Sequence, residues 1–162
     1  MKSRNKKMKA KKQIDLILGV LIFALGVAAT LMLFLPGLVN VDTGTVYSGS
    51  QVVFGTQITD FGVIGTVQIE PSVMGIIAYI LPAVAGLMTI SIKNKTVAII
   101  SAIIFGAAAV MFFLIPTSTV TTLTFLGATN PYDTNWAMSG GLIAAAIVSI
   151  FGAVVSLYKS LI

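Results

Sequence analysis

Four stretches of this chain are long and apolar enough to cross a hydrocarbon layer, and nothing else in the sequence constrains the fold as strongly. A membrane core needs about 20 mostly apolar residues per helix. Ile14 to Leu35 meets that requirement and should stop at Pro36. Pro71 to Ile92 follows, opened by a proline suited to a first helical turn. Thr96 to Ile115 should stop at Pro116, and Ser139 to Tyr158 makes the fourth span. Composition agrees: of 162 residues only 9% are charged, against about 25% in soluble domains. The expected fold is an all-α transmembrane four-helix bundle.

Charge placement sets the orientation. Lys2, Arg4, Lys6, Lys7, Lys9, Lys11 and Lys12 precede the first span, Lys93 and Lys95 sit between the second and third, and Lys159 follows the fourth. With four spans all ten basic residues fall on one side. Asp42, Asp60, Glu70 and Asp133 fall on the other, and Asp15 alone joins the basic end. By the positive-inside rule both termini are cytoplasmic in the plasma membrane, and loops 37–70 and 117–138 face out. The expected layout is a basic tail over 1–13, a membrane domain over 14–158 and a short cytoplasmic end over 159–162. The first apolar run exceeds the roughly 7–15 residues of a signal-peptide core and has no small-x-small site after it, so it is expected to stay.

The two helical hairpins look duplicated. Gly26-Val-Ala-Ala-Thr-Leu-Met-Leu-Phe-Leu-Pro36 aligns without gaps on Gly106-Ala-Ala-Ala-Val-Met-Phe-Phe-Leu-Ile-Pro116. Gly75, Ala78, Gly86 and Lys93 likewise fall opposite Gly141, Ala144, Gly152 and Lys159. Small residues mark where membrane helices approach closely. On that ground Gly26, Ala102, Gly106, Gly141, Ala145, Ser149 and Ala153 are the expected packing positions, with any surplus stripe on span four available for a homo-oligomer. Pro82 removes one backbone hydrogen bond in mid-span and should kink the helix.

The outer loops are too apolar for linkers. Residues 44–55 and 56–62 are rich in β-branched and aromatic side chains punctuated by glycine, and Val63, Gly65, Val67 and Ile69 keep period two. Thr119 to Leu126 is another β-prone run ending at a Gly127 turn, and Asn130 to Asp133 reads as a further turn. A small extracellular β-sheet cap of two to four strands is expected, held by shared burial of Val53, Phe54, Phe61 and Phe125. Trp136, just ahead of the fourth span, and Tyr158, at its end, are the expected membrane-interface anchors.

Four spans, cytoplasmic termini and a long, strand-rich first outer loop over residues 14–158 resemble the claudin-type tetraspan architecture. Claudins carry a Trp and then Gly-Leu-Trp with two Cys in that loop; this loop has neither residue type. No family residue is carried over, and the resemblance implies a layout, not barrier or adhesion function. The Cys-free outer face and repetitive apolar alphabet also resemble small four-span membrane proteins of Gram-positive bacteria.

Chemistry is mostly excluded. There is no Cys or His, hence no thiol or imidazole catalysis, and no P-loop or dinucleotide fingerprint. No enzyme activity, cofactor or metal site is expected. Asp15 reads as a charge favourable to a helix N-terminus. Lys9, Lys11 and Lys12 should contact anionic lipid headgroups, and the tail lacks the aromatics of a nucleic-acid binder. The expected role is structural or interactive, with membrane lipids, a second copy or an envelope protein as partner. The alternative is a small channel, transporter subunit or transport accessory. A polar cavity near Tyr79, Thr89, Ser101 and Ser149 would mark transport, and a bundle sealed by Leu, Ile and Phe a structural role.

Overall fold

A computed structural model describes the backbone of residues 2–92 and 94–162, and the side chains of 11–162 except Val63 and Lys93. The expected headgroup contact of Lys9 and the position of Lys93 lie outside the described residues. The chain runs α1 (Lys2–Leu31), β1 (Pro36–Asn40), β2 (Val46–Ser48), α2 (Gly49–Phe54), β3 (Thr56–Asp60) and β4 (Gly65–Ile69). Then come α3 (Val73–Ser91), α4 (Lys95–Ser118), β5 (Thr121–Phe125), β6 (Ala128–Pro131), β7 (Trp136–Met138) and α5 (Gly140–Leu161). Four segments, Lys11–Phe34, Val73–Ser91, Lys95–Ser118 and Gly140–Leu161, are long and apolar enough to span a membrane. This is a multi-pass membrane protein.

The four long helices form a ring in which α1 meets α3 and α5, and α4 meets α3 and α5, while α3 and α5 barely touch across the diagonal. Helical periodicity decides which side of each helix turns inward. On α5 the buried side chains are Leu142, Ala145, Ala146, Ser149 and Ser156, with Gly152 among them, whereas Ile143, Ile147, Ile150, Phe151 and Val154 point out. On α4 the inward row is Ala98, Ser101, Ala102, Phe105, Ala108, Phe112 and Ile115. Small residues on one helix therefore admit the two phenylalanines of its neighbour: a Cβ on Gly152 would lie 2.6 Å from the Phe105 ring. Gly141 faces Leu35 and the Pro36 carbonyl just as closely. The small stripe on α5 is thus used inside the chain.

Gly106 departs from the expected packing. It follows Phe105 by one position, about 100° round the helix, and a Cβ there would meet nothing within 4 Å. Ala153, next to Gly152, is only half-buried. The sequence counterpart of Gly106 behaves differently: Gly26 is buried, with the Pro82 carbonyl in direct contact with the place its Cβ would take. The two hairpins share orientation without sharing contacts.

Proline also acts differently from expectation. Helix α4 does not stop at Ile115 but continues through Pro116 to Ser118. The hydroxyls that follow satisfy carbonyls of this last turn: Thr117 donates to Leu114 O at 2.9 Å, while Ser118 and Thr119 donate to Ile115 O at 3.1 and 2.8 Å. Conversely, α1 ends at Leu31 and tightens into a 3-10 turn over Met32–Phe34, so Pro36 opens a strand rather than capping a helix.

The cap is larger than expected: among the described residues it has seven strands in two antiparallel sheets, ordered β2-β1-β7 and β3-β4-β5-β6. Each sheet joins strands from both loops. Leu38, Val39 and Asn40 pair with Met138, Ala137 and Trp136, and Gly65 to Ile69 pair with Phe125 to Thr121. Within residues 44–55, read as strand and turn, Gly49–Phe54 is a helix, because Ser48 and Gln51 form a reciprocal capping box. Residues 62–64 form a 3-10 turn, and the alternating strand begins only at Gly65. Asn130 and Pro131 belong to strand β6 rather than to a turn; as an outermost strand it tolerates the missing proline N–H.

Candidate functional site

The three-stranded sheet and α2 plug one end of the bundle. Leu38, Val52 and Val53 share a single apolar core with Tyr79, Phe112, Ile115 and Leu142. The seam beneath Gly37 and Gly49 leaves no room for a water molecule. The Tyr79 ring stands edge-on to Phe112 at 4.8 Å, and its buried hydroxyl lies under Gly49 with no hydrogen-bond partner among the described residues.

Deeper in the bundle some polar groups bond locally, while the buried hydroxyls of Ser149 and Ser156 have no partner among the described residues. Thr89 and Ser101 both donate to Ala85 O, at 2.8 and 3.0 Å, and lie 2.8 Å from each other. Thr30 donates to Tyr79 O at 2.8 Å beside Pro82, tying α1 to α3. Pro82 itself is buried within the continuous helix α3. Ser149 is fully buried. Of the four residues whose surroundings were to separate transport from structure, Tyr79 lines the seam that has no room for water, and none of the four lines the cavity at the basic end of the bundle. Phe105, Phe112, Ile22, Ile115 and Leu142 fill the space around them.

Trp136, half-buried, is held by the cap itself. It packs edge-on against Tyr47 at 5.5 Å, and its indole N–H donates to Thr121 Oγ1 at 3.3 Å. It therefore clasps the two sheets together, since Tyr47 belongs to one and Thr121 to the other. Burial raises the Tyr47 phenol pKa above its ordinary value, which keeps it neutral. Glu70, at the base of β4, accepts from Thr122 Oγ1 at 2.6 Å and Gln68 Nε2 at 3.0 Å. The Thr122 bond first, and then the Gln68 bond, holds its pKa below the usual carboxylate range. Tyr158 is exposed near the opposite end of the bundle, where Lys11 and Lys12 are exposed as well.

The far end of the four-stranded sheet is unlike the rest of the cap. Ile69 and Thr121 pair close to where the chain enters α3 and leaves α4; Gly65 and Phe125 pair at the other end, about 14 Å along the strands. There Phe61, Ile64, Phe125 and Leu126 are all exposed, Leu126 by 76%. Phe54 is exposed too, so of the four residues expected to share burial only Val53 does. Phe54 ends helix α2, and Phe61 and Phe125 stand at the turn end of their strands, where no neighbouring layer covers them.

Comparison with protein-family models, with curated proteins and with solved structures finds no match. The site must speak for itself.

Its most telling residue is Leu126. Leu126 and Gly127 form the two-residue turn between β5 and β6, and both have positive φ, 50° and 83°. Two positive φ values define a type I′ hairpin, for which Asn-Gly is the favoured pair. A leucine in the left-handed region costs roughly 1–2 kcal/mol and here gains no burial.

Proposed function

We propose that this is a non-enzymatic protein of the plasma membrane with both termini in the cytoplasm. Its extracellular β-cap binds a protein partner or the cell envelope through the apolar tip of Phe61, Ile64, Phe125 and Leu126. The observation that carries this reading is Leu126, an exposed apolar residue held at a strained turn position. The apolar seam between cap and bundle, which has no room for a water molecule beneath Gly37 and Gly49, supports an interaction role over a channel or transport accessory. Two sheets stitched from both outer loops give the tip a rigid base, and this supports the claudin-type comparison at the level of layout.

Orientation is tested by thiol labelling. With no native cysteine, Thr129→Cys on the exposed β6 strand should react with an impermeant reagent in intact cells. Leu161→Cys at the other end should react only after permeabilisation. The reverse pattern would invert the protein and place the tip inside.

The interaction itself is tested at the tip. A photo-crosslinking residue at Leu126 or Phe61 should give the same discrete adduct in native membranes, and one at exposed Thr43, in the turn between β1 and β2 of the other sheet, should not. Leu126→Asn should abolish that adduct at Phe61 and yet raise stability by about 1 kcal/mol, because asparagine tolerates the left-handed turn. Adducts of equal yield from all three positions, or a Leu126→Asn protein that binds normally, would remove the tip from the mechanism.

A further inference from the structure

The end of the bundle away from the cap holds a second, chemically different place. Asp15 was expected to serve a helix N-terminus, but α1 begins at Lys2, so Asp15 lies within the helix. It sits instead 3.6 Å from the ammonium of Lys159 on α5. The Lys159 side chain is 5% exposed, and its Nζ donates to Thr89 O at 3.1 Å. An ammonium has three donors; Thr89 O takes one of them, and Asp15 at 3.6 Å adds an ion pair beyond hydrogen-bond distance. Beside this pair opens a cavity of about 170 Å³, lined by Lys11 of α1, by Asn94 and Lys95 at the amino end of α4, and by Lys159 and Asp15. That volume equals the share of about five to six waters in the liquid.

We propose that this cavity binds the phosphate group of an anionic ligand. Lys11, Lys95 and Lys159 bring three ammonium groups to the cavity, and the Asp15 side chain already answers the buried Lys159; Ala98 and Ile162 complete the lining. Lys11 and Lys95 are exposed and stand at the rim, one on each flanking helix, so both can close on an anion without breaking a packed contact. The 24-residue helix α4 adds the positive end of its dipole from below, with Asn94 capping its first turn through Thr96 N. A cation would meet three positive charges. An uncharged ligand would leave two rim lysines unanswered, while a phosphate oxygen suits both the lysines and the amide groups at the helix end. Basic pockets between membrane helices are the usual seats of anionic lipid headgroups, and a soluble phosphate offers the same chemistry. The site is independent of the cap and of any partner that the cap holds.

The full chain, delipidated in a neutral detergent, provides the test. Native mass spectrometry and thermal unfolding are followed with phosphatidylglycerol, with phosphatidylcholine and with inorganic phosphate. Preferential retention of phosphatidylglycerol identifies a lipid headgroup as the ligand; a shift with inorganic phosphate alone identifies a soluble anion. The double variant Lys11→Ala/Lys95→Ala should bind the preferred anion about 25-fold more weakly (about 2 kcal/mol at 1.4 kcal/mol per decade) and should unfold normally without it. Lys12→Ala, exposed beside the site but outside its lining, should bind like the parent chain. Equal loss in Lys12→Ala would reduce the effect to diffuse attraction by the basic tail. An unaltered affinity in the double variant, or no anion preference in the parent, would leave only an ion pair joining α1 to α5.

Discussion

Gly26→Ala should destabilise the protein by about 3 kcal/mol, the upper end for overpacking a core, while Gly106→Ala should be neutral or stabilising. The two substitutions add the same methyl group at positions that the sequence presents as equivalent. At Gly26 that methyl group enters the space of the Pro82 carbonyl, with the Ala83 Cα 3.5 Å away. Neither is a side-chain end that can rotate aside, so α1 and α3 must separate. Thr30, which reaches Tyr79 O only because α1 lies this close, then loses its bond across the interface. At Gly106 nothing lies within 4 Å, and alanine gains up to about 1 kcal/mol of helix propensity over glycine. Thermal unfolding in one detergent compares the pair directly. Similar melting temperatures for both would mean that the α1–α3 contact is looser than described. They would also revive a mobile Pro82, the feature on which a gating role would depend.

What could be read from the sequence follows from the range over which each feature is determined. The four spans were legible because hydropathy summed over some 20 residues outweighs local detail, and the stripe on α5 was legible because Gly141, Ala145 and Ser149 keep helical spacing. Gly26 and Gly106 were not separable, since each lies in a Gly-Ala patch and the difference is which backbone stands opposite. Strand β4 announced itself by alternation at Gly65, Val67 and Ile69. Helix α2 did not, although Ser48 and Gln51 carry a capping-box spacing that outweighs the β-branched residues between them and Gly55. The hairpin at Leu126-Gly127 was half visible: Gly127 signalled a turn, while Leu126 is a residue no turn rule favours. That mismatch is what makes it informative once the backbone is seen. The pairing of Asp15 with Lys159 joins opposite ends of the chain. Only their shared position at the basic end hinted at it, and the phase of two helices was needed to bring them together. Exposure of Phe54, Phe61 and Phe125 was missed for a related reason: apolar character says that burial is favourable, not that a neighbour exists to provide it.

Phe112→Ala should cost about 3–5 kcal/mol, the range for deleting a fully buried phenylalanine, and should loosen the cap along with the helices. Phe112 is 0% exposed and lies on α4, yet its core includes Leu38 of β1 and Val52 and Val53 of α2 as well as Tyr79 and Leu142. Cap and bundle thus share one apolar interior. Ordering each residue of the cap costs about 1–2 kcal/mol, and much of its apolar surface faces outward at Phe54, Phe61, Phe125 and Leu126. The burial that holds the cap therefore comes largely from its contact with the helix ends. Amide exchange in nanodiscs reads this residue by residue. In the parent chain, exchange should be slow across 65–69 and 121–125, where the two loops pair. In Phe112→Ala it should speed up in β1, β7 and α2 as well as in α4, while Trp136 and Thr121 transmit a smaller change to the outer sheet. Fast exchange of the cap already in the parent would remove the rigid base that the tip requires. If the cap held firm while only α4 loosened, the sheets would stand on their own strand pairing. A partner bound at Leu126 could then have no mechanical hold on the helices. The predicted co-loosening gives the tip that hold: force or occupancy at Leu126 passes down β4 and β5 to Ile69 and Thr121, and from there into the core that Phe112 fills.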